Sequence, residues 1–167
     1  MLFFKRLKNI DVPEIQLLEE IKSSNDNVWF TAKSIGDHKI NMVKDKPNGG
    51  FYLARIKKFP KVMQFVEEAL PDAIISNSYI TKCYPRYIMD KHIDPGRSTA
   101  IIIPLGTNKG FINFFFKDIK ISTCVYQGPT LSRVNVVHSA VNDSDEIRYG
   151  LTIEIKGSYW KNFVKYS

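Results

Sequence analysis

The chain has 167 residues, 44% of them apolar and 13% aromatic, which is enough to close a hydrophobic core in one domain and argues against a disordered chain. Lysines and arginines number 24 against 17 acidic residues, and the resulting +7 charge and pI near 9.3 fit a nucleic-acid partner, an anionic small substrate or a solvated surface, of which the scattered placement of the basic residues favours the solvated surface. No apolar run approaches the roughly 18 residues of a membrane span and the N-terminus has no signal-peptide pattern, so the expectation is a cytoplasmic chain without membrane contact.

In chain order, "DVPEIQLLEEIKSS" reads as a helix. Asp11 is placed to cap it, Pro13 suits the first turn, Glu14 completes a capping box, and Ile15, Leu18 and Ile21 share a face. "NVWFTAKSI" and "HKINMV" are candidate short strands, and "DKPNGGFYL" reads as a glycine loop. A second helix is predicted over "FPKVMQFVEEALP", opened by Pro60, closed before Pro71, with Val62, Phe65, Val66 and Ala69 on one side. The basic residues Arg55, Lys57, Lys58 and Lys61 cluster here without the glycine or aromatic pattern of a nucleic-acid module.

The character changes near residue 72. "AIISNSYITKCY", "YIMDKHID", "STAIIIPL", "GFINFFF", "KISTCVY", "SRVNVVHSAV" and "EIRYGLTIEI" are β-rich runs separated by turn residues, which predicts a mainly β antiparallel sandwich or barrel. Alternation in the last run puts Tyr149, Leu151, Ile153 and Ile155 on one face and Arg148, Gly150 and Thr152 on the other. The organisation expected is one domain over 1–167, with a mixed support region at 1–72, a β core at 73–156 and an aromatic tail at 157–167 that packs back. Cys83 and Cys124, far apart and outside any CxxC pattern, are expected as reduced thiols on strands.

His92 and Asp94 are separated by one residue, so on an extended segment both side chains leave the same face. Taken alone, "DKHIDPGR" also reads as a polar turn. His138 sits among small apolar neighbours in a later strand and points inward. Two histidines and one carboxylate on one side of an ion form the facial set suited to non-haem Fe(II), leaving positions open for other ligands. Arg148, ten residues beyond His138, can grip a carboxylate in bidentate fashion; taken alone it also reads as a surface arginine paired with Asp145 or Glu146.

The ordered set His92, Asp94, His138 and Arg148 within a run of short strands resembles the Fe(II)/2-oxoglutarate-dependent oxygenases. The stretches "KHIDPGRSTAIIIPLG" and "HSAVNDSDEIRYGLTIEI" look like the aspartyl/asparaginyl β-hydroxylase branch, over roughly residues 73–156. The resemblance implies a double-stranded β-helix, or jelly roll, with the N-terminal helices packed on one sheet. It implies His92, Asp94 and His138 as Fe(II) ligands and Arg148 as the residue holding the far carboxylate of 2-oxoglutarate. Thr152 and Ser139 would assist co-substrate binding, Asn142 would support the rim, and Arg86, Arg97 or the "KPNGG" loop would meet substrate. The activity implied is hydroxylation of an aliphatic C–H bond, with 2-oxoglutarate and dioxygen consumed and succinate and carbon dioxide formed. Its substrate would be a protein or peptide side chain of Asp, Asn or Pro type, or a free amino acid. A nucleobase-directed oxygenase and a non-catalytic jelly-roll binding module are the alternatives. The sequence departs from the branch in two ways: Asp94 is present where several members lack the carboxylate ligand, and Ala100 to Ile103 are apolar where some carry arginine and histidine.

Overall fold

A computed structural model describes residues 3–31, 50–94, 96–106 and 110–166. Its helices are α1 (Glu14–Lys22), α2 (Pro60–Ala69) and α3 (Tyr159–Lys165), and its strands are β1 (Phe4–Arg6), β2 (Phe51–Arg55), β3 (Tyr79–Cys83), β4 (Thr99–Leu105), β5 (Phe111–Phe116), β6 (Ile119–Val125), β7 (Thr130–Arg133), β8 (His138–Val141) and β9 (Arg148–Glu154). None of the described helices is long and apolar enough to cross a membrane.

The strands pair antiparallel in two sheets, a six-stranded one in the order β1-β7-β4-β9-β3-β2 and a three-stranded one in the order β6-β5-β8. Residues 87–94 complete the smaller sheet irregularly. Ile88 bridges Val141, His92 bridges His138, and Met89 donates its N–H to the Ala140 carbonyl at 2.8 Å. From β3 onward the chain crosses between the sheets in turn: β3 in the large one, 87–94 in the small, β4 back in the large, then β5 and β6, β7, β8 and β9. That path is the double-stranded β-helix, and it closes the site between two facing sheets.

The outer face of the large sheet is covered by helices, as expected. Leu17 and Ile21 of α1 and Val62, Phe65 and Val66 of α2 pack with Ile80, Ile101, Ile103, Leu151 and Ile153 into the main core. The alternation read from β9 holds: Leu151, Ile153 and Ile155 enter this core, while Arg148, Gly150 and Thr152 face the gap between the sheets. A second apolar cluster of Phe3, Ile112, Phe114, Cys124 and Tyr126 plugs that gap on one side. Both cysteines are buried, free and on strands.

Several local expectations are corrected. Ile15 is 75% exposed, because α1 starts at Glu14 and turns Leu17, with Leu18 and Ile21, to the core. Asp11 does not cap α1; Pro13 occupies the N-cap position without a side-chain hydrogen bond, and Glu14 reaches away to accept the Gly106 N–H at 2.6 Å. "SRVNVVHSAV" is two strands, split so that β7 joins one sheet and β8 the other. The opening residues, read without a strand, supply β1, which pairs with β7, and "FYL" belongs to β2, which pairs with β3. The aromatic tail folds as α3, with Tyr159 buried and Phe163 and Tyr166 against the core, while Trp160 stays half-exposed. "HKINMV", most of "DKPNGG" and the second half of "NVWFTAKSI" lie outside the described residues; in the first half, Asp26–Val28 form a 3-10 turn and Phe30 bridges Leu53.

Candidate metal centre

His92 and His138 are 46 positions apart, yet each donates its backbone N–H to the other's carbonyl at 2.9 Å. Residues paired so across antiparallel strands project side chains from the same face, and the two imidazole centroids lie 4.3 Å apart. Asp94 follows two residues on, anchored by its N–H to the Val134 carbonyl at 3.0 Å. Its Oδ1 stands 3.5 Å from His92 Nε2 and 3.8 Å from His138 Nε2. One donor atom from each of the three residues falls within 4.8 Å of the others.

The imidazole tautomers are set by the backbone. His92 Nδ1 lies 2.7 Å from the Asp90 carbonyl and His138 Nδ1 lies 2.8 Å from the Val136 carbonyl, so each Nδ1 carries the proton and each Nε2 turns a lone pair to the common centre. Burial pushes the His138 imidazole down to about 4, so it is neutral at physiological pH and ready to ligate. Burial also works against a charge on His92, but the hydrogen bond and negative charge of Asp94, with the Asp90 carbonyl, outweigh it and raise the ring above its usual value. Burial would raise the Asp94 carboxyl; His92 and Arg97 reverse this and hold it well below the usual carboxylate range. The set is thus one anionic oxygen and two imidazole nitrogens on one side of a point, which suits a borderline divalent ion such as Fe(II) and falls short of the four ligands of a structural zinc site.

These three side chains open into a cavity of about 150 Å³ between the sheets. Arg148 lines the same cavity, 6% exposed, with Nη1 donating to the Val141 carbonyl at 2.9 Å and its guanidinium carbon 5.4 Å from the Tyr126 ring centre. Among the described residues no carboxylate stands within ion-pair distance of it. The surface pairing with Asp145 open at the sequence level belongs instead to Arg86, which clasps Asp145 at 3.0 Å and Asp143 at 3.1 Å on the exterior. Arg86 is therefore not at the cavity. Gly110 makes room for Arg148: a Cβ there would fall 1.7 Å from Nη1 and 2.5 Å from the Val141 carbonyl.

Of the residues singled out from sequence, the fold brings His92, Asp94, His138, Arg148 and Thr152 to the cavity. Ser139 is not among its lining residues; it is buried on the opposite face of β8 from His138, because successive strand residues alternate. Asn142 is wholly buried in the β8–β9 turn, where its amide donates to the carbonyls of Cys83, Tyr84 and Glu146 and so fixes the turn that presents Arg148. Arg97, expected to meet substrate, has a nearly buried guanidinium hydrogen-bonded to Asp94 Oδ2 at 3.1 Å. The remaining wall is apolar or aromatic, with Phe51, Leu53, Tyr79 and Met89 on one side. These four carried no motif; only the inward alternation of β2 and β3 could have indicated Leu53 and Tyr79.

No family model and no curated protein matches the chain. Among solved structures it is similar to oxalate decarboxylase of Bacillus subtilis, studied for its Mn(II) centres, at 18% identity and a TM-score of 0.44 over 68% of this chain and 27% of that one. It is also similar to the vicilin of hazelnut, Corylus avellana, at 13% identity and a TM-score of 0.43 over 71% of this chain and 31% of that one. A cupin domain from Bordetella pertussis aligns at 18% identity with a TM-score of 0.38, over 48% of this chain and 80% of that domain. The chain thus spans less than a third of the first two proteins. The double-stranded β-helix stands on the strand pairings themselves.

Proposed function

We propose that this chain is an Fe(II)- and 2-oxoglutarate-dependent oxygenase that hydroxylates an aliphatic C–H bond, with a protein or peptide side chain or a free amino acid as its substrate class. One observation carries the reading: a buried guanidinium with no carboxylate partner among the described residues shares a cavity with two imidazoles and a carboxylate aimed at one point. Burying a cation costs several kcal/mol unless an anion compensates it, so a cation kept in a ligand-sized cavity calls for an anionic ligand.

The donor set fits the metal, and the cavity fits a short dicarboxylate. His92, Asp94 and His138 would hold Fe(II), and Arg148 would take the far carboxylate through its planar fork. Thr152 and Arg148 are four residues apart on β9, about 13 Å along the strand at about 3.3 Å per residue. A five-carbon diacid and an extended arginine side chain together can bridge that interval. Bound Fe(II) with 2-oxoglutarate supplies the dioxygen-activating redox chemistry that no side chain here offers. The chain's own residues do the rest: Asp94 offsets part of the ion's charge, the Nδ1–H bonds keep both imidazoles in the ligating tautomer, Arg148 orients the diacid, and the apolar wall of Phe51, Leu53 and Met89 keeps bulk water away from the reacting centre.

The test is succinate formation from 2-oxoglutarate with Fe(II) and dioxygen, followed by mass spectrometry of peptides, amino acids and nucleic acid for a gain of one oxygen. His92→Ala and Arg148→Ala should each abolish succinate formation. Undiminished turnover in the His92 variant refutes the assignment.

A further inference from the structure

We infer that Arg97 is a positioning residue for the metal centre: clamped to Thr152, it occupies Asp94 Oδ2 and so presents Asp94 to the ion through Oδ1. The inference rests on the metal-binding reading of His92, Asp94 and His138 and extends it to two residues that reading does not use. Asp94 lies in a turn outside the regular strands, and its carboxylate needs something to fix its rotation. Arg97 supplies it. Its Nη1 donates to Asp94 Oδ2 at 3.1 Å, and its Nη2 donates to Thr152 Oγ1 at 3.2 Å. Oδ1, the oxygen facing the two Nε2 atoms, is the one that Arg97 leaves free.

The clamp also spans two elements. Thr152 sits on β9, the strand that carries Arg148, so the guanidinium ties the ligand-bearing turn to the strand proposed to hold the co-substrate. Pairing Thr152 with Tyr79 and with Ile102 places it centrally in the large sheet, where the backbone is held on both sides. Arg97 is thus braced against a strand paired on both sides. A lysine could not replace it, since one ammonium cannot reach the carboxylate and the hydroxyl with the fixed geometry of a planar fork.

An electrostatic role would predict the opposite sign. A guanidinium next to the site repels a divalent cation, so if charge were all that mattered, its removal would tighten binding. If orientation dominates, its removal weakens binding, and partners that orient a ligand are commonly worth about 10–100-fold in metal affinity. Thr152→Val separates the two, because it keeps the charge of Arg97 and removes the brace.

The experiment titrates the metal-free protein with Co(II) alone, following both affinity and the visible ligand-field spectrum, which reports coordination geometry. Thr152→Val and Arg97→Met should each weaken Co(II) binding about 10-fold or more with an altered spectrum, and Arg97→Lys should not restore either. Unchanged affinity and spectrum in Thr152→Val, or tighter binding in Arg97→Met, overturns the inference. If Arg97→Met does not fold, Thr152→Val decides alone. Co(II) binding no stronger in wild type than in His92→Ala removes the metal reading itself, an outcome distinct from unaltered variants of a protein that binds.

Discussion

Replacing Arg148 with methionine should change the stability of the metal-free protein by no more than about 2 kcal/mol in either direction while destroying its affinity for 2-oxoglutarate. In the free protein the guanidinium has one hydrogen bond to a carbonyl, worth about 1.5–3 kcal/mol for a charged donor, and an aromatic face at 5.4 Å, worth about 2 kcal/mol when desolvated. Against this stands a desolvation penalty of several kcal/mol for the buried ion. The terms cancel to within about 2 kcal/mol, and methionine, of similar length and adaptable shape, keeps the packing against Tyr126. Chemical denaturation of the metal-free proteins should therefore give midpoints corresponding to a difference of no more than about 2 kcal/mol in either direction. Two charge-assisted hydrogen bonds to the diacid, at about 1.5–3 kcal/mol each, are lost together, so 2-oxoglutarate affinity measured anaerobically with Mn(II) should fall at least about 100-fold. A variant destabilised by about 4 kcal/mol with affinity unchanged would make Arg148 a structural residue and refute the reasoning.

Gly110→Ala places a methyl group 1.7 Å from Arg148 Nη1 and 2.5 Å from the Val141 carbonyl, so either the guanidinium or backbone must move. Thermal unfolding should show a loss of about 1–3 kcal/mol from the broken buried hydrogen bond, together with weakened 2-oxoglutarate binding. His138 is depressed by burial to about 4 from an ordinary 6.5, so in the metal-free protein its stabilising contribution is full above about 6.5 and is lost as pH falls toward 4. The loss amounts to about 3 kcal/mol, visible as a falling denaturation midpoint over that window, and should be absent in His138→Gln. His92, raised by Asp94 against the effect of burial, works with the opposite sign: its contribution is present below its ordinary value and lost as pH rises through the folded one. Metal binding must therefore displace a proton wherever the His92 ring is charged, and calorimetry in buffers of differing ionisation enthalpy should show proton release that diminishes as pH rises through the folded value. Phe114→Ala should cost about 3–5 kcal/mol in unfolding experiments, since the ring is fully buried beneath His138 and stacked on Phe3.

Local chemistry written along the chain was enough to show the body of the fold. Pro60 and the Val62, Phe65, Val66 stripe make α2 wherever it packs, and strict alternation from Arg148 to Ile155 demands a strand with one apolar and one polar face. The spacing of His92 and Asp94 likewise guaranteed that, if extended, they would point together. What spacing does not hold is which distant strand lies opposite, because register is a long-range choice made by the whole sandwich. Only the bridge between His92 and His138 turns two separate histidines into a pair, and only the crossing of β7 and β8 to different sheets turns one predicted strand into two. Period two also fixes faces relative to one another and leaves open which is inside, so Ser139 was grouped with a site from which the pleat turns it away. Arg97 shows the same limit from the other side: in a turn with no periodicity it reads as a residue that would meet substrate, and tertiary folding alone carries it inward to Asp94 and Thr152.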